Sequence, residues 1–250
     1  MSKSILFITE GREDEPRLIR RICKIYSGFR EHEICYYNTS LYELMEAIYK
    51  GDRAPKDCNL LDVFKESKTA TKKELLDNSY TDIYMIFDLD PHYQLYDKWK
   101  DKLPEMLEWY SESSLYGKLY INYPMMQSYM HIDDLDSDSF KDVVIDISDF
   151  NGTDYKKTTK SMCDQRIKAP AYIERHWMNR LLVLNIMKAN NLRFDSWTVS
   201  GDLEKTLNSR EIHVCEDEMM RQKGKLSVLN TSLFCILHQN DYSIPSDEDE

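Results

Sequence analysis

The stretch Tyr84-Met-Ile-Phe-Asp-Leu-Asp-Pro91 decides the fold that we predict for this chain. Four apolar residues lead into Asp88 and Asp90, and a proline ends the run. An apolar run of this length, rich in aromatic and branched residues, is typical of a strand buried on both faces of a parallel sheet. Because successive strand side chains alternate between faces, Asp88 and Asp90 are expected to share one face. Open α/β sheets bind ligands at the carboxyl ends of their strands, where this pair lies.

Two carboxylates in this position suggest a metal site. Neighbouring carboxylates repel each other unless a cation lies between them, and Mg²⁺ prefers oxygen ligands. Asp88 and Asp90 are therefore candidate ligands for magnesium. The alternative is structural, with the two aspartates capping the turn that follows the strand.

A second strand pattern with an acidic end begins the chain, Ser4-Ile-Leu-Phe-Ile-Thr-Glu-Gly11. Gly11 permits a tight turn directly after Glu10. A helix is expected from Arg12 onward, with acidic residues in its first turn, where the helix dipole favours them. Asp14 lies one helical turn beyond Glu10. If the two strands are neighbours, all these carboxylates meet at one edge of the sheet.

This combination of motifs resembles the Toprim fold, a family that pairs a strand-Glu-Gly turn with a later strand ending in Asp-x-Asp and binds Mg²⁺ there. The matching segments are Ile8-Thr-Glu10-Gly11 and Phe87-Asp88-Leu-Asp90. The further acid, Asp14, is similar to the pattern of the OLD and RloB-like nucleases. The resemblance covers about residues 3 to 131. It implies a metal-dependent nuclease and, in the RloB-like branch, an effector of bacterial defence against phage.

A third motif lies in the segment from Lys118 to His131, where a strand is followed by Asn-Tyr-Pro. It resembles the strand, Asn-(Tyr)-Pro and helix found after the Asp-x-Asp strand in RloB-like proteins. The family often carries a glutamate where this chain has Gln127. A glutamine can form hydrogen bonds but cannot act as a base, so this position lacks one carboxylate of a two-metal site.

The resemblance also implies roles for the acids. Glu10 is expected to be a metal ligand and a general base, and Asp88 and Asp90 to bind Mg²⁺ or Mn²⁺ as catalytic ligands. Asp14 is the expected ligand for a second ion, favoured over Glu13 because residues four apart share a helix face. Two ions about 4 Å apart can activate water and stabilise the leaving oxygen in phosphodiester hydrolysis.

A nucleic-acid substrate also needs cationic and hydrogen-bonding partners for its phosphates. Lys156 and Lys160 form a basic stripe on a predicted helix, for which an ordinary solvated face is the alternative. His92 directly follows the Asp-x-Asp-Pro turn. The remaining candidates for substrate contact are Asn122, Gln127 and His131.

Composition sets limits on the class of protein. The 250 residues are 42% apolar, enough for a substantial core, and carry a formal net charge of −11. This charge argues against non-specific coating of the whole surface by nucleic acid but leaves a local basic groove open. The six cysteines show no CxxC and no zinc spacing, and we find no signal peptide and no apolar run of about 18 residues. A cytoplasmic protein without a membrane helix is expected.

We predict an α/β fold: a mainly parallel Toprim-type sheet with helices on both faces, plus an α-helical C-terminal portion. The expected boundaries are 1–150 for the sheet domain, with a surface insertion at about 51–78, and 151–243 for the helical region. Residues 244–250 form an acidic tail that is expected to be disordered. Because no Walker A motif is present, any ATPase or sensor would be a separate subunit, and an oligomer is left open.

Two other functions remain open at this point. One is a Toprim-shaped binding or regulatory module with little catalysis, favoured by Gln127 and by the negative net charge. The other is an Asp-based phosphohydrolase, in which Asp88 would attack phosphorus. The Glu10-Gly11 strand and the lack of a convincing later lysine motif argue against the phosphohydrolase. The sequence leaves the choice between DNA and RNA, tRNA included, undecided.

Overall fold

The computed structural model describes residues 4–51, 53–199 and 201–247. The strands are β1 (Ser4–Thr9), β2 (Glu31–Tyr36), β3 (Asp82–Asp88), β4 (Ser111–Glu112), β5 (Gly117–Asn122), β6 (Val144–Asp146) and β7 (Lys225–Ser227). The α-helices are α1 (Asp14–Ile25), α2 (Leu41–Ile48), α3 (Leu60–Glu66), α4 (Tyr96–Trp99), α5 (Leu103–Trp109), α6 (Gly152–Met162), α7 (Arg175–Phe194), α8 (Leu203–Thr206), α9 (Ser209–Lys223) and α10 (Cys235–Gln239). The predicted α/β class is confirmed.

A five-stranded sheet in the order β2-β1-β3-β5-β4 forms the centre of the protein. β2, β1, β3 and β5 run parallel, and the short β4 is antiparallel to β5. Every residue of β3 except Ile83 is buried, as expected for a central strand covered on both faces. Because the four parallel strands point the same way, their carboxyl ends meet at one edge of the sheet. β6 and β7 pair separately as a two-stranded antiparallel sheet.

Local sequence explains several helix boundaries. Ser40, the N-cap of α2, accepts a hydrogen bond from the backbone N–H of Glu43 at 3.3 Å. Asn151 caps α6 in the same way, accepting from Thr153 and Asp154. Leu18, Ile19 and Ile22 give α1 an apolar stripe, and all three are buried.

Two stretches depart from a single continuous helix. Residues 96–109 are divided into α4, a 3₁₀ turn and α5, and Pro104 lies in the first turn of α5, where its missing N–H is tolerated. The helix expected after Pro124 is a 3₁₀ turn at Met126–Met130. There the carbonyl of Met126 accepts a hydrogen bond from the side chain of Asn230 at 2.9 Å, so a tertiary contact replaces a helical one.

The C-terminal region packs directly on the sheet. Leu229 pairs with Tyr123, just beyond the end of β5, and the hydroxyl of Thr231 donates to the carbonyl of Ile121 at 2.8 Å. Buried residues of α7 and of the segment 226–237 belong to the same hydrophobic core as the strands. The helical C-terminal portion is therefore packed on the sheet. None of the described helices, including the 20 residues of α7, is long and apolar enough to cross a membrane.

The segment expected as a surface insertion contributes to the core. Phe64 of α3 is fully buried, and its ring packs edge-on against Tyr37 with centroids 4.9 Å apart. Thr71 forms a bridge with Tyr36 at the end of β2. The described residues of 51–78 are mostly exposed or half-buried, and a few of them, Phe64 included, extend the core; residue 52 lies outside the described residues.

The acidic tail also begins with residues that have definite contacts. Pro245 is buried, and its carbonyl accepts a hydrogen bond from Asn179 of α7 at 3.1 Å. The same amide group donates to the carboxylate of Asp247 at 2.6 Å. Residues 244–247 thus differ from the expected disorder, while 248–250 lie outside the described residues.

Candidate functional site

Glu10 and Asp88 lie side by side where β1 and β3 end. The backbone N–H of Glu10 donates to the carbonyl of Ile86 at 3.1 Å, which continues the pairing of the two strands. The backbone N–H of Asp88 donates to Oε2 of Glu10, also at 3.1 Å. These bonds confirm that the two acidic strands are neighbours, and they place the Glu10 carboxylate against the end of β3.

Asp88 has an unpaired carboxylate oxygen in the protein interior. The residue is 6% exposed, and its Oδ1 has no hydrogen-bond partner among the described residues. Burial, followed by the negative charges of Glu10 and Glu15, raises the pKa of Asp88 well above its usual value. A buried acceptor without a partner costs roughly 1–3 kcal/mol, so this oxygen is a position that favours a proton or a cation.

Burial also dominates the state of Glu10. It raises the pKa of Glu10 to about 8, and the charges of Glu15 and Asp90 raise it further. The hydrogen bond from the Asp88 backbone and the charge of Lys156 act in the opposite direction. Without a nearby divalent cation, the protonated form of Glu10 is therefore favoured near neutral pH.

Asp90 does not share a strand face with Asp88 in the predicted way. β3 ends at Asp88, and Asp90 has a φ of 35°, in the left-handed region. The alternation of strand side chains, on which that expectation was based, stops before Asp90. Asp90 nevertheless lies near the site, because its charge raises the pKa of Glu10. Its own pKa is raised by burial, against the effects of a hydrogen bond from the His92 backbone, the charge of His92 and that of Lys156.

The carboxylate of Asp14 forms a hydrogen bond with Gln127. The Nε2 group of Gln127 donates to Oδ2 of Asp14 at 2.5 Å, and Arg17 lies 3.7 Å from the other carboxylate oxygen. Gln127 is buried, and its Oε1 has no hydrogen-bond partner among the residues that the structure describes. Glu13 is exposed and pairs with Arg17 at 3.4 Å.

Glu15 is an acid of this site that the sequence interpretation missed. It is 6% exposed, and its pKa is raised by burial and then by the charge of Asp14. Its own charge raises the pKa of both Glu10 and Asp88. Counting helical turns from Glu10 pointed to Asp14, but α1 begins only at Asp14, so helical spacing does not apply across residues 10–13.

Lys156 supplies positive charge to the acids. It lies on the exposed side of α6, and its charge opposes the upward pKa shifts of Glu10, Glu15, Asp88 and Asp90. The neighbouring Lys157 pairs with Asp154 at 3.4 Å instead. Lys160 is exposed one helical turn further along α6. The predicted basic stripe therefore reaches the acids through Lys156.

The other predicted substrate contacts divide into exposed and buried residues. His92 is exposed beside Asp90, with its ring edge-on to Phe150 at 5.7 Å. His131 is half-buried, which lowers its pKa, and its Nδ1 lies 3.3 Å from the hydroxyl of Tyr155.

Asn122 and Gln127 require a correction. Asn122 is fully buried; its amide nitrogen donates to the sulfur of Met126 at 3.3 Å, and its oxygen accepts from the Ser232 backbone at 3.2 Å. Asn122 is also paired with Asp88 in the strand register, and a hydrogen bond from its side chain lowers the pKa of that aspartate. Asn122 and Gln127 thus position the acids from the interior and do not lie where substrate would reach them.

The charges of the acids act on one another, but the side chains do not form a complete coordination shell. Within residues 4–51, 53–199 and 201–247, no three His, Cys, Asp or Glu side chains are arranged so that they could hold a metal ion as they stand. The unpaired oxygens of Asp88 and Gln127 nevertheless have the chemistry that Mg²⁺ prefers. Metal binding here would require the acidic side chains to rotate toward one another.

Fold and site together define an α/β protein with a partly buried acidic cluster at the carboxyl edge of a parallel sheet. No family model matches the chain. The curated proteins and the solved structures also gave no significant match. The chemistry of the acidic cluster is therefore the basis for a functional proposal.

Proposed function

We propose that this chain is a Mg²⁺-dependent nuclease of the Toprim type that hydrolyses phosphodiester bonds in DNA or RNA, tRNA included. The observation that carries the proposal is the buried, unpaired Oδ1 of Asp88 beside Glu10 at the carboxyl edge of the sheet. Carboxylates whose pKa values are raised by burial and mutual repulsion are stabilised in their ionised form by a divalent cation. Mn²⁺ takes the same oxygen ligands.

Glu10, Asp88 and Asp90 would hold the ion. When bound, such an ion stabilises charge on phosphate oxygens and lowers the pKa of a bound water. Glu10 also suits the role of general base, since a carboxyl group whose pKa lies near the working pH can both accept and return a proton. Lys156 and the exposed His92 flank the acids and would orient the phosphate.

A binding or regulatory module with little catalysis is the second candidate. It is favoured by the absence, among the described residues, of three side chains arranged to hold a metal. The neutral Gln127 in contact with Asp14 supports it as well. Such a module would bind metal or nucleic acid without cutting. A role as an effector against phage and a separate ATPase or sensor subunit belong to the nuclease proposal and are supported by the motif resemblance.

Cleavage by the purified chain tests the proposal. Plasmid, single-stranded DNA and total tRNA are incubated with Mg²⁺, with Mn²⁺ and with a chelator. We expect metal-dependent cutting of at least one substrate. Asp88→Asn should lower the rate by at least about 10²-fold, the scale on which removal of one charge-stabilising group acts. The fold should survive, because asparagine removes a buried charge and keeps the size of the side chain.

Asp62→Asn is the matched control, since Asp62 is exposed on α3, away from the acidic cluster. It should cut at the wild-type rate. Equal cutting by wild type and Asp88→Asn would contradict the proposal and point to a contaminating nuclease. Metal binding without cutting of any substrate would favour the binding module.

A further inference from the structure

Four exposed cations on and beside α1 have no acidic partner. Arg20 and Lys24 lie four residues apart on α1 and so share one face of the helix. Arg12 is exposed just before the helix begins, and Lys72 is exposed in the segment that follows α3. Among the residues that the structure describes, none of these four forms an ion pair. The chain as a whole carries a net charge of −11, so their free positive charge requires a reason.

Tyr36, the last residue of β2, brings Arg20 and Lys72 together. The Nη2 group of Arg20 donates a hydrogen bond to the hydroxyl of Tyr36 at 2.8 Å. The Nζ of Lys72 lies 5.0 Å from the centroid of the same ring, and the backbone N–H of Thr71 donates to the carbonyl of Tyr36 at 2.8 Å. The segment after α3 is therefore fixed beside α1. Like charges held close together repel each other, and an anion between them relieves that repulsion.

Asn38 connects these cations to the acidic edge of the sheet. Its backbone N–H donates to the carbonyl of Glu10 at 2.9 Å, which continues the pairing of β2 with β1 beyond Tyr36. Its side-chain oxygen accepts a hydrogen bond from Nε of Arg12 at 2.5 Å, and its side-chain nitrogen donates to the carbonyl of Thr69 at 2.7 Å. The cations therefore begin where β1 ends in Glu10 and continue along α1.

The length of this surface indicates the kind of anion that fits it. Arg12 and Lys24 are separated by twelve residues, a span of about 18 Å along a helix. This span is much longer than one phosphate group and suits a polymer of phosphates. Arginine binds phosphate through its fork of N–H donors and lysine through its point charge. Arg17, also exposed on α1, contributes less because it is paired with acids of its own helix at 3.4 and 3.7 Å.

We propose that the α1 basic surface, formed by Arg12, Arg20, Lys24 and Lys72, binds the phosphate backbone of a nucleic-acid strand beside the acidic edge. This inference rests on the proposed function, since the bound strand is the substrate that the acids would cut. It adds a surface that the sequence analysis did not find, because Lys72 and Arg20 meet only through the fold.

Fluorescence anisotropy in the presence of a chelator tests binding without cutting. Labelled single-stranded and duplex oligonucleotides are titrated with the full chain at several salt concentrations. Arg20→Gln and Lys72→Gln should each weaken binding by about 10-fold and reduce the slope of log binding constant against log salt concentration by about 1. The double variant should reduce the slope by about 2. Because both side chains are exposed, the melting temperature should stay close to that of wild type.

Lys205→Gln is the matched control, because it removes one exposed positive charge far from α1. The carbonyl of Lys205 accepts a hydrogen bond from Arg193 near the end of α7. Arg175, at the start of α7, donates to the carbonyl of Ile25 at the end of α1. These two contacts are eighteen residues apart on one helix, about 27 Å. Lys205→Gln should bind both oligonucleotides with the affinity and salt slope of wild type.

The outcomes for the surface and for the nuclease can be told apart. If Arg20→Gln and Lys72→Gln bind like the control, the strand lies elsewhere and this inference fails, while metal-dependent cutting still stands. If wild type binds anionic lipid vesicles but neither oligonucleotide, or binds none of the three, the α1 basic surface is not a nucleic-acid site. Binding that depends on Arg20 and Lys72, in a chain that cuts no substrate, would support the surface and contradict the nuclease.

Discussion

Glu10 shows how one residue links the site to the stability of the protein. Its pKa is about 8 in the folded chain against an ordinary value of 4.5, chiefly because of burial. Between these two values the native state holds a proton that the unfolded state has released. Stability therefore falls as the pH rises through this window, since stability rises with pH only where the unfolded state binds more protons.

As the pH rises from 5 to 8, we expect the melting temperature of the metal-free protein to fall relative to that of Glu10→Gln. The glutamine can still accept the hydrogen bond from Asp88, so only the ionisation is removed. A difference of at least about 3 °C is expected, since 1 kcal/mol moves the midpoint of a chain this size by about 2–4 °C. Scanning calorimetry of both proteins across this range measures it.

Taking the difference in melting temperature between wild type and Glu10→Gln cancels the contributions of other buried groups that titrate in this range. His213, whose pKa is lowered to about 4 by burial, changes stability in the opposite direction below pH 6.5, and Glu216, with a pKa of about 8, changes it in the same direction. Both are present in wild type and in the variant. If the difference between the two melting temperatures were the same at every pH, Glu10 would not carry the buried charge.

At the scale of elements, α6 connects the helical region with the acidic edge. Its buried side carries Tyr155, which packs against Phe150 and Met125 in a small apolar cluster separate from the main core. The next residue, Lys156, is close enough to the acids to oppose their pKa shifts. The position of one helix thus determines where positive charge meets the site.

Lys156→Gln should weaken substrate binding by about 10-fold. It should also reduce the slope of log binding constant against log salt concentration by about 1, because Lys156 would neutralise one phosphate. Lys157→Gln, one residue further on the same helix, should change neither, since Lys157 is paired with Asp154. Fluorescence anisotropy with a labelled oligonucleotide at several salt concentrations separates the two. Equal effects of both substitutions would mean that α6 contributes general charge and no specific contact.

The elements that could be predicted from sequence are those whose local pattern and tertiary setting agree. The apolar runs ending at Glu10 and Asp88 predicted buried strands, and the pairing of those strands brings their acidic ends together at the sheet edge. Glu15 could not be found, because the start of α1 decides which acid points inward, and spacing does not reveal that start. The turn at Met126–Met130 was taken for a helix, because its partner Asn230 is 104 residues away.

At the scale of the whole molecule, the sheet and the C-terminal region share one core. Tyr84 in the middle of β3 is bonded to His238 of α10 at 2.8 Å, and Ser232 is bonded to Asn122 at the site. The predicted boundary at residue 150 therefore crosses many buried contacts. A sheet domain cut at that boundary would expose the apolar face that α7 and the segment 226–237 cover.

A fragment of residues 1–150 should consequently fail to fold on its own, while the full chain should melt in one cooperative transition. The exposed apolar surface would cost far more than the 5–15 kcal/mol by which proteins are usually stable. Circular dichroism during heating checks both proteins. A cooperative transition in the fragment would show that the sheet is an independent domain.

The C-terminal segment that packs against the end of β5 also determines when the acidic centre is completed during synthesis. Glu10, Glu15, Asp88 and Asp90 have all left the ribosome long before residue 232, whose backbone N–H holds the amide of Asn122 next to Asp88. Domains fold as units during translation, and here the last contacts of the unit come late. A nascent chain would therefore carry every acid of the site before the contact that holds Asn122 beside Asp88 has formed.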